Sequence, residues 1–151
     1  MADIFTSAKR SQIMSRIRSS GTTPEMLLHS CIRQILGGRW RVDKNVRDLP
    51  GQPDVVIPSL RVALFADGCF YHSCPQHKHL PKSNESYWIP KLQRNIDRDR
   101  LSRNALRRMG FTVWSVWEHD LKKTTTEKTV RRLQRRLRKL MSERKCGSNG
   151  R

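Results

Sequence analysis

Acidic residues are scarce in this chain. Its 151 residues set 13 Asp and Glu against 31 Lys and Arg, a formal charge of +18, with a pI near 11.0. A surface this one-sided repels itself unless an anion partners it, and DNA or RNA is the usual partner. A membrane surface is the competing anion; it is the weaker reading because the acidic residues and aromatics are grouped rather than scattered. Long apolar runs are also missing. None approaches the roughly 20 residues that span a bilayer, and "MADIFTSAKRSQIMSRIRSS" has no apolar stretch of the length a secretory signal needs. Cysteine is limited to Cys31, Cys69, Cys74 and Cys146. Without an export signal, and with histidines beside two of them, these cysteines favour metal ligation over disulfides. The expectation is a soluble intracellular protein of one domain, with no internal repeat.

The chain divides into a basic arm over 1–20, a single domain over 21–142 and a frayed tail over 143–151. In "GTTPEMLLHSCIRQILGG", Thr23 is the expected N-cap, Pro24 opens a helix and Gly37-Gly38 close it. Met26, Leu27, Cys31 and Ile35 form its apolar stripe. Strands are expected over 39–46, 54–57 and 61–65, where "DVVI" and "VALFA" are apolar enough to be buried on both faces. A helix follows over about 84–109, kinked or broken early by Pro90 and ended by Gly110. "FTVWSVW" is a further strand. The last helix is amphipathic, with Thr124 and Glu127 at capping-box spacing and Val130, Leu133, Leu137, Leu140 and Met141 on one face. Helix, three strands, helix, strand, helix predicts an α/β fold, a mixed sheet flanked by helices. Trp40, Trp114 and Trp117 fall on strands and are assigned to the core.

The densest chemistry lies in "DGCFYHSCPQHKH", residues 67–79. Cys69, Cys74 and His77 are three candidate zinc ligands, and His119 or His79 could supply the fourth of a tetrahedral set. The plain alternative is cysteines and surface histidines without a metal. Asp54 opens one apolar strand and Asp67 ends the next; with Glu25 at a helix start, they could share a hard cation such as Mg²⁺. Taken singly, each is as readily a turn or cap residue. His72, between the two thiols, would point away from a metal that both bind, and is a proton-transfer group, a fifth potential zinc ligand or a surface histidine. Phe70, Tyr71 and Trp88 are either core or rings offered to bases. The runs "RNIDRDRLSRNALRR" and "VRRLQRRLRKL" are solvated faces or phosphate contacts.

Four segments, "LPGQPDVVI", "LFADGCFYHSCPQH", "YW…KLQRNIDRDR" and "WSVWEH", together resemble the very-short-patch repair (Vsr) endonucleases, in family order and spacing across residues 3–120. These bacterial enzymes nick DNA at T·G mismatches left by deamination of 5-methylcytosine. The resemblance implies a fold of the restriction-endonuclease-like, PD-(D/E)XK type, and a cytoplasmic monomer acting on double-stranded DNA alongside other repair proteins. By position, it makes Asp54 the main Mg²⁺ ligand, joined by the main-chain carbonyl of Ala66, and has Glu25 act through metal-bound water. It makes His72 the group that handles the attacking water, places Asp67 beside the scissile phosphate, and uses Asn95 and Asp99 to orient the site. Cys69, Cys74, His77 and His119 fall on structural Zn²⁺ positions. Phe70, Tyr71 and Trp88 match a wedge that enters the duplex at the mismatch, and Met14 and Ile17 match an N-terminal helix that contacts DNA. The chain departs from the family pattern at Tyr71, where Trp is common, and at Ala66, where some members have Thr; the arginine-rich last helix matches no family motif. Two other readings stand beside this one: a nuclease of the same fold with broader specificity, and a zinc-stabilised DNA-binding protein without catalysis.

Overall fold

The computed structural model describes Ala8 and residues 22–77 and 81–148. Four strands form one sheet in chain order: β1 (Asp43–Lys44), β2 (Val55–Ile57), β3 (Val62–Asp67) and β4 (Thr112–Trp117). The first two pairings are antiparallel and β3–β4 is parallel, so the connection between β3 and β4 must cross over, and a helix makes that crossing. Side chains alternate across the sheet as strand geometry requires. Val55, Ile57, Val62, Leu64 and Val116 face one way and pack with Leu28, Cys31 and Ile32 of α1 (Thr23–Leu36) and with Leu133 and Leu137 of α3 (Thr126–Ser148). Val56, Ala63 and Phe65 face the other way and meet Leu106 of α2 (Glu85–Arg108). The apolar runs predicted to be buried on both faces are so buried, because helices cover both sides.

Several expectations shift. The cap of α1 is Thr22, one residue earlier than expected, and its hydroxyl bonds Glu25 Oε1 at 2.9 Å rather than a backbone N–H. The stripe turns with it: Leu28 and Ile32 are buried with Cys31, whereas Met26 and Leu27 are 54% and 37% exposed. The expected strand over 39–46 pairs only at Asp43 and Lys44. Asn45, at φ 47°, bends the chain, and Trp40 lies on a bend before the strand, half-buried against the core. Pro90 does not break α2, which runs unbroken through it for 24 residues. The proline removes one helical N–H, and the buried anchors Leu92 and Leu106 beyond it hold the helix to the body.

At α3 the capping box is not formed. Thr125 and Thr126 cap the turn instead, their hydroxyls bonding the carbonyls of His119, Leu121 and Lys122, while Glu127 accepts from Arg131. The helix then continues to Ser148 through the residues expected to fray. Its apolar face is the predicted one.

Candidate active site

The sheet pairing explains where the polar residues collect. β2 begins at Val55, preceded by Asp54 and by Pro53, which has no N–H. The β2–β3 register ends at Val55 opposite Leu64, short of Ala66; Pro53 turns its carbonyl the other way, to the Val46 N–H. The Asp54 side chain takes the place of the ladder there: Ala66 N–H donates to Asp54 Oδ2 at 2.7 Å, while Asp54 N–H still bonds Leu64 O at 3.0 Å. A residue's N–H and C=O leave a strand on the same edge, so the Ala66 carbonyl lies on the Asp54 side, in the wall of a cavity of about 610 Å³. Glu25, Asp54, Asp67, His72, Asp99 and Ser102 share that wall. Gly51, with φ +73°, closes one side; a Cβ there would come 2.7 Å from the Ser102 Cβ, so only glycine lets α2 approach.

The electrostatics of the cavity are uneven. Burial pushes the Asp54 carboxyl up to about 7, the nearby charges of Glu25 and Asp67 add to the rise, and the Ala66 N–H and His72 oppose it. Across the cavity His72 Nδ1 donates to Asp99 Oδ2 at 2.5 Å. Burial alone would lower the His72 pKa; the Asp99 hydrogen bond and the Asp67 and Asp99 charges outweigh it and raise it. Burial would raise Asp99, and the His72 bond with the His72 and Arg103 charges holds it below the usual carboxylate value. With Nδ1 engaged, Nε2 is the ring nitrogen left for proton transfer. Asn95 donates to Tyr71 O at 3.3 Å, tying α2 to the loop that carries His72.

Asp67 is 1% exposed, and its two oxygens lie 2.7 Å from Arg103 Nη2 and 3.9 Å from His72 Nδ1 on the nearer side. Arg103 was missed in the sequence, lost in a run of arginines. Its guanidinium sits 5.0 Å above the Phe65 ring. The usable signal was its place four residues after Asp99, one helical turn along the same face.

A hard cation fits the donor set here. A carboxyl this hard to ionise, with three more carboxyls (Glu25, Asp67 and Asp99) and a strand-end residue, Ala66, sharing its cavity, is an oxygen-rich site of the kind Mg²⁺ takes. The second candidate metal centre is sulfur and nitrogen. One donor atom from each of Cys69, Cys74, His77 and His119 lies within 4.8 Å of the others, so the four could hold a metal ion. His119 Nδ1 is 3.2 Å from Cys69 Sγ and 3.6 Å from Cys74 Sγ, and His77 Nδ1 is 3.7 Å from Cys74 Sγ. Tetrahedral zinc bond lengths place sulfur and nitrogen ligands about 3.6 Å apart. His72 points away from this group, as expected. His119 completes it; His79, the alternative, lies outside the described residues, as do Met14 and Ile17.

Phe70 meets Tyr71 and Trp88 edge-on, both at 5.1 Å, so the loop rings and the start of α2 form one half-buried aromatic cluster. Tyr87, 48% exposed, extends it at 5.2 Å from Trp88, and Lys91 Nζ lies 5.2 Å from both of their rings. Neither Tyr87 nor Lys91 was singled out in the sequence.

The family model "DNA mismatch endonuclease Vsr" matches residues 2–78. Among similar proteins is the "Type II nicking enzyme V.NaeI" of Lentzea aerocolonigenes, 46% identical over 116 residues, 75% of this chain and 69% of that one. The "Type II nicking enzyme V.NmeAIP" of Neisseria meningitidis serogroup A is 39% identical across 91% of this chain and 98% of its own length. The "DNA mismatch endonuclease Vsr" of Escherichia coli K12 is 34% identical, covering 89% and 86%. The mixed sheet with helices on both faces fits the restriction-endonuclease-like fold.

Proposed function

Because this chain belongs to the Vsr family and is a DNA endonuclease, we propose that it nicks one strand of duplex DNA 5′ of the T in a T·G mismatch, by Mg²⁺-dependent hydrolysis. The observation that carries the reading is the pairing, across one cavity, of the Asp54 carboxyl, pushed up to about 7, with the His72–Asp99 hydrogen bond of 2.5 Å. A binding module has no use for a buried carboxylate opposite an oriented imidazole. Asp54 and the Ala66 carbonyl would hold Mg²⁺, with Glu25 acting through water. When bound, the metal supplies charge stabilisation for the phosphate and the departing 3′ oxygen. Asp99 fixes the His72 tautomer so that Nε2 accepts the proton of the attacking water, as the acid partner of a catalytic imidazole does. Asp67, held by Arg103, keeps a negative charge behind that imidazole. The products are a 5′-phosphate and a 3′-hydroxyl.

Selectivity rests on the rings. A wobble pair stacks poorly, so opening the step beside it costs less than at a matched pair. Phe70, Tyr71 and Trp88 form a wedge suited to exploit that difference, and a zinc ion held by Cys69, Cys74, His77 and His119 would stiffen the loop that presents them.

An end-labelled duplex with a central T·G pair, run beside its T·A control with Mg²⁺ or EDTA, tests the reading. A single nick 5′ of the T, in the T·G duplex and with Mg²⁺ only, is expected, and Asp54→Ala should abolish it with binding largely kept. Equal cutting of both duplexes would leave the active site and remove the mismatch specificity; activity in Asp54→Ala would overturn the active site.

A further inference from the structure

α3 spends one face on the core and leaves the other to solvent. Val130, Leu133, Leu137, Leu140 and Met141 pack inward. On the opposite face Lys128, Arg131, Arg135, Arg138 and Lys145 follow one another at three, four, three and seven residues, all exposed. Steps of three, four and seven return to the same side of an α-helix, so these cations form a straight stripe. From Lys128 to Lys145 it runs about 25 Å at 1.5 Å per residue. Most of its charge is uncommitted. Arg131 pairs with Glu127 at 2.6 Å, but Lys128, Arg135, Arg138 and Lys145 have no ion-pair partner among the described residues. Other cations of the helix are occupied: Arg132 bonds Asp120, Arg144 reaches Ser59 O, and Arg136 lies over Trp114. The helix carries nine Lys and Arg against two Glu.

We propose that this stripe is a second DNA-binding surface, separate from the cavity, which grips the phosphate backbone of duplex DNA without reading sequence. A line of cations fits that occupant because each DNA strand presents one charge about every 3.4 Å of its axis and backbone binding requires nothing else. An anionic membrane fits less well. Helices that lie on membranes insert an apolar face, and the apolar face of α3 is already buried in the core. A protein partner would need apolar or aromatic anchors at the centre of its contact, and the stripe has none. The inference does not depend on mismatch specificity, since it concerns matched DNA.

The test is the salt dependence of binding to a matched, unnickable duplex. The quadruple variant Lys128→Gln, Arg131→Gln, Arg135→Gln, Arg138→Gln should weaken binding at least about tenfold and reduce the slope of log K against log salt by about 3 to 4, near 0.9 for each phosphate no longer neutralised. A control variant with Arg39, Arg107, Arg108 and Lys123 changed to Gln removes the same charge from other exposed positions. Cleavage of a saturating mismatched duplex in a single turnover should be unchanged in the stripe variant, and its far-ultraviolet circular dichroism and melting temperature should match the parent. An unchanged slope, or an equal fall in the control, would overturn the proposal, because the effect would then be net charge alone. Loss of binding to vesicles containing phosphatidylserine with DNA binding intact would overturn it in favour of a lipid surface.

Discussion

The Asp54 carboxyl is held near 7 by burial and by the carboxylates beside it. In metal-free protein its folded pKa lies above the unfolded value of about 3.9, so the folded state binds the extra proton between those values. Stability contributed this way is complete below about pH 4 and is lost as pH rises toward 7. Asp54→Asn keeps an acceptor for the Ala66 N–H and never ionises. It should therefore raise the unfolding free energy of the metal-free protein at pH 7.5 by on the order of 2 kcal/mol, seen as a higher melting temperature, with the gain vanishing near pH 4 in the same thermal scans. Arg103 makes a second prediction at this scale. Arg103→Met leaves the buried Asp67 charge uncompensated and should cost about 3–5 kcal/mol in denaturant unfolding. The double variant Asp67→Asn, Arg103→Met should recover most of it; a double variant as unstable as the single would show that the ion pair is not what Arg103 supplies. Sequence marked Asp54, Asp67 and Glu25 as candidates because each stood against an apolar run or at an element boundary, and His72 because it lay between two thiols, while leaving the role of each open. It hid Arg103 because one arginine among many carries no local mark, and only the approach of α2 to β3 selects it.

The loop over 68–77 has little regular structure and hangs from β3. It is joined to the turn after the last strand by the meeting of Cys69 and Cys74 with His119, fifty and forty-five residues away, and by the Cys69 N–H donating to Glu118 Oε2 at 3.3 Å. Cys74→Ser removes one donor of the proposed zinc centre and should lower the melting temperature by several degrees and abolish nicking, since folding energy and metal affinity are one quantity at such a site. Zinc content measured by inductively coupled plasma spectrometry should fall from one to zero per chain; retained metal with intact nicking would contradict the assignment. Element types were legible because apolar runs of strand length and the Pro24 and Gly37 punctuation are local signals. Boundaries were not. The strand expected over 39–46 shrinks to two residues because pairing depends on where β2 starts, and the helix through Pro90 persists because buried leucines further on outweigh one missing hydrogen bond.

At the scale of the molecule, the charge of +18 has an address. Composition pointed to a polyanion without saying which surface would meet it, and only packing separates the arginines that brace the fold from those of the α3 stripe. The site was legible as a set of residues for the same reason it was illegible as a geometry: Glu25, Asp54, His72 and Asp99 come from α1, the approach to β2, the loop and α2.

β3 and β4 finish level, Asp67 opposite Trp117, and this shared finishing line constrains how the chain can change length over evolutionary time. Losing or gaining one residue inside β4 would shift His119, whose Nδ1 lies 3.2 Å from Cys69 Sγ and 3.6 Å from Cys74 Sγ, and would break up the group proposed to hold a metal. Length drift should therefore accumulate at the Lys122–Thr125 turn, while β3 and β4 keep their lengths in step.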